Sequence, residues 1–216
     1  MKILNVRGFA LGLKTVLPFV TDDETRPHLD MVQITCEDGA LLIAATDGHT
    51  LAEVRLHRGS YEGPNMVCTL HPSDAAILAV SAAKALELEM GRTDKIDAGG
   101  IRESIEWRVD RNTVWTRQGR EKFPPYRKIM DIEPDEKRAQ AKELETGIDA
   151  HYLIRAAHAM KVFGVKSDTR RWQKRDLKCF HPDLHISTDP KHPFRFTLDN
   201  FDLNARLTVL VMPRCK

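Results

Sequence analysis

The chain has 216 residues, of which 42% are hydrophobic and 30% charged, and its formal net charge is +2. That length supports one large domain, or one plus a smaller partner, and the composition is that of a globular chain rather than a disordered or membrane-embedded one. A charge this mild does not mark a nucleic-acid binder by its sum, so where Lys and Arg fall along the chain matters more.

The N-terminal MKILNVRGFALGLKTVLPFV is broken by Arg7, Lys14 and Pro18. It reads neither as a signal peptide nor as a membrane span, and a cytoplasmic location is expected. Within it Phe9, Leu13, Val16, Leu17 and Val20 recur at helical spacing, which predicts a helix over about 7–20 with Lys14 off the apolar stripe. After TDDETRP, the stretch MVQITCEDGALLIAATDGHTLAEVRL predicts three strands separated by Glu37-Asp38-Gly39 and Asp47-Gly48. Gly after Asp accepts the positive φ that tight hairpins need.

MVCTL predicts a further strand. Ser73 or Asp74 is the expected cap of an alanine-rich helix running to Leu86, followed by several short strands in LELEMGRTDKIDAGGIRESIEWRVDRNTVWTRQG. The acidic-basic stretch DIEPDEKRAQAKE reads as a linker. Gly147-Ile148-Asp149 then leads into a helix from about Ala150 to Phe163, with Leu153, Ile154, Ala157 and Met160 as its expected apolar stripe and His151, Arg155 and His158 on another face. DLHISTD, FRFTLDN and NARLTVLVMP complete the chain as strands. A helix followed by strands thus occurs three times, a repeat of order without obvious shared sequence.

Cys36, Cys68, Cys179 and Cys215 form no CxxC pair and have no His at metal-ligand spacing, so reduced structural thiols are expected, with no metal and no cofactor. An enzymatic reading would join Asp47 and His49 with His71 or His151 in an acid-base or metal-assisted hydrolytic site. No nucleophile motif, phosphate loop or HExxH accompanies them, and no enzyme is expected.

Three motifs carry a resemblance. RPHLDMVQI followed by EDGALLIAATDGHTLA resembles the middle domain of the bacterial DNA polymerase III beta subunit, the beta sliding clamp. GREKFPPYRKIM resembles the FPDYRR segment that ends the same domain, and LTVLVMPRCK is similar to the clamp's closing VVMPMRL, all in the family's order. The resemblance implies an α+β DNA-clamp fold of repeated helix-plus-antiparallel-strand half-units, with sheets outside and helices lining a channel. It implies a complete clamp domain over residues 1–130, a linker over 131–142, and over 143–216 a half domain like the second half of the family's last domain.

The function so implied is that of a processivity factor: a homo-oligomeric ring around duplex DNA, indifferent to sequence, tethering DNA polymerase, clamp loader and repair proteins by their peptides. The phosphate-facing candidates are Arg7, Lys14, Arg26, Lys84, Arg155 and Lys161, with the basic run Lys166 to Lys178 and its Trp172 as a further contact. The implied peptide groove takes Thr46, Gly48, His49 and Leu51 from the turn, Pro124, Lys128 and Ile129 from FPPYRKIM, and Leu210, Met212, Pro213 and Arg214 from the C-terminus. Thr50 stands where the family has Arg, and Arg214-Cys215-Lys216 replaces its usual ending. With twelve half-units to a ring and three per chain, a tetramer is expected over a trimer. The competing reading is a clamp-derived regulator that binds clamp partners without encircling DNA.

Overall fold

Two antiparallel sheets hold the helices against their inner faces. The computed structural model describes residues 1–21, 23, 25–97, 100–118, 122–130, 149–164, 183–185 and 193–212. In chain order the elements are β1 (Lys2–Ile3), α1 (Val6–Val16), β2 (Val32–Glu37), β3 (Ala40–Thr46), β4 (Thr50–Leu56), β5 (Tyr61–Glu62), β6 (Met66–Leu70) and α2 (Pro72–Ala82). There follow β7 (Leu88–Asp97), β8 (Gly100–Val109), β9 (Asn112–Arg117), the short α3 (Arg127–Met130), α4 (Ala150–Gly164), β10 (Asp183–His185), β11 (Phe194–Asn200) and β12 (Ala205–Val211).

One sheet has the order β5-β1-β7-β8-β9 and the other β10-β11-β12-β4-β3-β2-β6. A helix and then a meander of three strands therefore appears three times, as α1-β2-β3-β4, α2-β7-β8-β9 and α4-β10-β11-β12. The first two units exchange strands, since β1 lies on β7 and β6 lies on β2. The third unit continues the sheet of the first: β12 runs antiparallel to β4 from Ala205↔Leu56 to Val211↔Thr50.

The alternation of side chains explains the layering. Ile34, Cys36, Ile43, Val54, Leu207 and Val209 point inward and share one core with Phe9 and Leu13 of α1, Leu78 of α2 and Phe163 of α4. Trp107 on β8 is fully buried there, packed on Phe9 at 5.6 Å, and its indole N–H donates to Thr116 Oγ1 at 2.9 Å. The β2–β3 turn works as its sequence predicts: Asp38 and Gly39 have φ of 50° and 78°, both positive, as a two-residue type I′ turn requires.

Four expectations change in detail. The first helix ends at Val16, not near Val20, and Leu17–Phe19 tightens into a 3-10 turn. Pro18 has no N–H to continue the α-helical ladder. The second helix is capped by His71, whose Nδ1 accepts from the Ser73 N–H at 3.3 Å, rather than by Ser73 or Asp74. It ends at Ala82 instead of Leu86, because the Leu86 and Glu87 N–H groups both donate to Asp110 Oδ1 at 2.9 Å and are drawn into the start of β7. The several short strands expected after it are three, and β7 and β8 each run ten residues.

The fourth change concerns α4. Its buried stripe is Ala156, Ala159, Met160 and Phe163, while Leu153 and Ile154 are 37% and 70% exposed and Ala157 is exposed. The helix packs against α1 as well as β11 and β12, and the alanines permit that close approach. No helix among the described residues is long and apolar enough to cross a membrane. Cys36 and Cys68 are buried thiols.

Candidate functional site

The Thr46–Thr50 turn is built around one carboxylate. Asp47 Oδ1 accepts from the His49 N–H at 2.9 Å, the Thr50 N–H at 2.6 Å and the Thr50 hydroxyl at 2.9 Å. Thr46 Oγ1 donates to the Thr50 carbonyl at 2.7 Å and accepts from the Gly48 N–H at 3.1 Å. Gly48 has φ of 87°, a conformation that costs a side-chain-bearing residue. The loop is thus fixed from inside, and His49 is left exposed at its tip.

The other oxygen of Asp47 faces α4. Arg155 forms an ion pair with Asp47 Oδ2, lies 3.4 Å from Thr50 Oγ1, and brings its second amino group 3.2 Å from His151 Nε2. Its guanidinium carbon is 5.9 Å from the centre of the Tyr152 ring, and that ring stacks on His49 at 5.8 Å and 18°. Arg155, expected to offer its charge to phosphate, has a side chain 21% exposed and paired with Asp47. Of the acid-base grouping, His151 approaches Asp47 only through Arg155. Asp47 meets residue 49 through the backbone N–H, and His71 is engaged elsewhere, with Ser73 at 2.7 Å and Asp30 at 3.5 Å. Among the described residues no three His, Cys, Asp or Glu are grouped so as to hold a metal.

Beside the turn, the outer face of the β3-β4-β12 seam carries a second apolar cluster. Met31, Ala44, Leu51 and Leu210 are covered by Phe123 and Tyr126, with Met130 packed against them. The two aromatic rings meet edge-on at 5.6 Å. Tyr126 donates its hydroxyl to Glu53 Oε2 at 2.9 Å, and burial, reinforced by that carboxylate, pushes the hydroxyl well above its ordinary pKa. Arg127 pairs with Glu37, which pins the start of α3 over the sheet. The Met212 N–H donates to the His49 carbonyl at 2.9 Å, so the end of β12 is tied to the turn.

The expected groove residues divide accordingly. Leu51 and Leu210 are buried beneath Phe123 and Tyr126, and Thr46 is buried with its hydroxyl inside the turn. Gly48, His49, Lys128 and Ile129 are exposed, and Pro124 and Met212 are half-buried. Pro213 and Arg214 lie outside the described residues, as does the run Lys166 to Lys178 with Trp172. Arg26 stands beside the turn: a Cβ on Gly48 would sit 3.7 Å from Arg26 Nη1 and 3.4 Å from Leu29 Cδ1. It also pairs with Asp23 at 3.4 Å. Phe123, Tyr126, Tyr152 and Glu53 belong to this region and were not singled out from the sequence. The first two sit inside FPPYRKIM, while nothing local marks Tyr152 or Glu53.

Arg7 and Lys14 on α1, Lys84 just beyond α2 and Lys161 on α4 are all exposed. α1 packs against both α2 and α4, so the three helices form one layer. Its exposed surface also carries Ile77, Val80 and Ile154, at 55%, 78% and 70% exposure.

No protein-family model matches the sequence, and no curated relative does. The fold does match solved structures. The DNA polymerase III subunit beta from Pseudomonas aeruginosa aligns with a TM-score of 0.69 at 15% identity, covering 100% of this chain and 66% of that one. The C. crescentus beta sliding clamp gives 0.65 at 13% identity, covering 100% and 65%. DNA polymerase III beta subunit from Thermotoga maritima gives 0.57 at 13%, again covering 100% and 65%. The chain thus spans slightly under two thirds of the length of each. Over its whole length, this chain has the fold of the DNA polymerase III beta sliding clamps.

Proposed function

We propose that the protein is a DNA sliding clamp, a non-enzymatic ring of identical chains around duplex DNA that tethers polymerase and other replication or repair proteins. The observation that carries the reading is the seam: the Asp47–Thr50 turn, tied to the end of β12 through the Met212 N–H, stands beside an apolar cluster in which Phe123 and Tyr126 cover Leu51 and Leu210. A short linear peptide would meet the rim of that cluster, where His49 and Ile129 are exposed and Met212 is half-buried. In this reading residues 1–130 form a complete clamp domain, 131–142 a linker and 143–216 a half domain. Arg7, Lys14, Lys84 and Lys161 attract phosphates without reading bases, and four chains supply the twelve half-units of the ring.

The test is topological. The protein, loaded on closed circular duplex, should survive a rise in salt that strips it from the linear form, since enclosure is insensitive to screening. Equal loss from both would remove the ring. The exposed Ile77, Val80 and Ile154 favour one second reading, a regulator whose helix layer meets protein instead of DNA. In that case the groove peptide binds normally and duplex DNA is not retained in either form.

A further inference from the structure

A hollow opens on the outer face of the seven-stranded sheet, at the other end of β4 from the Asp47–Thr50 turn. It is a cavity of about 480 Å³ between Glu37 and Asp38 at the β2–β3 turn and Arg55, His57 and Arg58 at the end of β4. The Ser60 N–H donates to the Gly39 carbonyl at 3.1 Å, which holds the loop carrying Arg58 against that turn. At the usual strand rise Arg55 stands roughly 17 Å along β4 from Thr50. The hollow shares no lining residue with the cluster under Phe123 and Tyr126.

Its charges are only partly answered from within the chain. Glu37 is engaged by Arg127. Arg55 Nε lies 3.8 Å from Glu53 Oε1, the outer limit of an ion pair, while Glu53 Oε2 accepts the Tyr126 hydroxyl. Arg206 sits directly across the sheet from Arg55, a like-charge pairing that costs stability, and is itself held by Asp199 in a two-pronged contact at 2.7 and 3.0 Å. Arg58 and Asp38 are both exposed and line the same cavity, yet neither makes an ion pair with the other or with any other described residue. One wall therefore offers guanidinium N–H groups, a geometry matched to carboxylate, and the other offers an unpaired carboxylate.

We infer that this hollow docks a segment of a partner protein in which an acidic residue neighbours a basic one, its carboxylate on Arg55 and Arg58 and its cation on Asp38. The volume falls in the range of ligand-sized pockets. A nucleic-acid strand suits it poorly, because a run of phosphates would pass Asp38 as well as the two arginines, and like charges brought together cost affinity. The inference depends on neither ring closure nor the peptide groove. It gives the chain a second point of attachment on the same sheet, so two segments of one partner, or two partners, can be held at once.

The full chain at low salt tests this by fluorescence anisotropy, with a labelled peptide of three Glu-Lys repeats as the probe. The parent should bind it more tightly than it binds hexaglutamate or hexalysine, and unlabelled hexathymidylate should not displace it. Arg58→Gln should weaken the mixed-charge peptide several-fold. Asp38→Asn should weaken it too and at the same time tighten hexaglutamate, a change of opposite sign that a generally charged surface would not produce. Asn accepts the positive φ of 50° at that position, and both side chains are exposed, so circular dichroism should match the parent; Arg55→Gln replaces either variant that unfolds. No binding of the mixed-charge peptide up to millimolar concentration overturns the inference. So does equal or tighter binding of either homopolymer, displacement by hexathymidylate, or indifference to these substitutions.

Discussion

Arg155 on α4 and Asp47 in the β3–β4 turn form an ion pair between residues 108 positions apart in the chain. Their side chains are 21% and 11% exposed, so solvent screens the pair only in part. With the Met212 N–H on the His49 carbonyl, it fastens the third unit to the turn that lines the candidate groove.

Arg155→Ala should therefore act on stability before it acts on DNA. Removing the counter-ion of a partly buried carboxylate costs about 1–3 kcal/mol, and Asp47→Ala should cost more because three turn donors lose their acceptor as well. A double-mutant cycle in urea should give a coupling of roughly 0.5–3 kcal/mol. A coupling near zero would mean the pair fastens nothing.

The exposed helix cations should behave in the opposite way. Lys14→Glu and Lys84→Glu are expected to leave the urea midpoint nearly unchanged and to weaken duplex binding, each lowering the slope of log affinity against log salt by about 1. Unchanged slopes in both variants would place the phosphates elsewhere.

Gly48 is the weak point of the turn itself. At φ of 87°, Gly48→Ala should destabilise the chain by about 1 kcal/mol. Because the same change displaces His49, affinity for a groove peptide measured by fluorescence anisotropy should fall too.

His49 and Met212 share a backbone hydrogen bond and stand on either side of the seam. His49→Ala and Met212→Ala should each weaken the same peptide several-fold, with less than additive loss in the double variant. Additive losses, or losses for unrelated ligands, would separate the turn from the C-terminal strand.

Alkaline pH tests the core. Burial raises the Cys36 thiol from its ordinary 9.0 to about 12. A group whose folded pKa is raised contributes stability that is complete below the unfolded value and is lost as pH climbs toward the folded one. Stability should fall between pH 9 and 12, and Cys36→Ala should show a shallower fall in urea titrations across that window.

Local rules made much of the fold legible. Asp38-Gly39 predicts its hairpin because a two-residue turn demands positive φ, and β2, β3 and β4 follow from the apolar runs around it. The helices were harder to orient. Leu153 and Ile154 look like the packing stripe of α4, yet Ala156 and Ala159 take that place, since a helix wedged against α1 and a sheet selects small residues that hydropathy ranks low. The capping by His71 and the claim of Asp110 on the start of β7 depend on partners that no local window contains.

By itself the sequence determined the element order, the threefold helix-and-strands repeat and the turn at Asp47-Gly48, because those depend on periodicity and on φ preferences of neighbouring residues. Only the tertiary structure decided that Arg155 pairs with Asp47 of the turn, that Tyr126 seals Leu51 and Leu210 with its hydroxyl on Glu53, and that β12 continues the sheet of β4. Each of these joins groups tens of residues or more apart, and pairing at that distance is fixed by packing and register, which no single stretch of chain encodes.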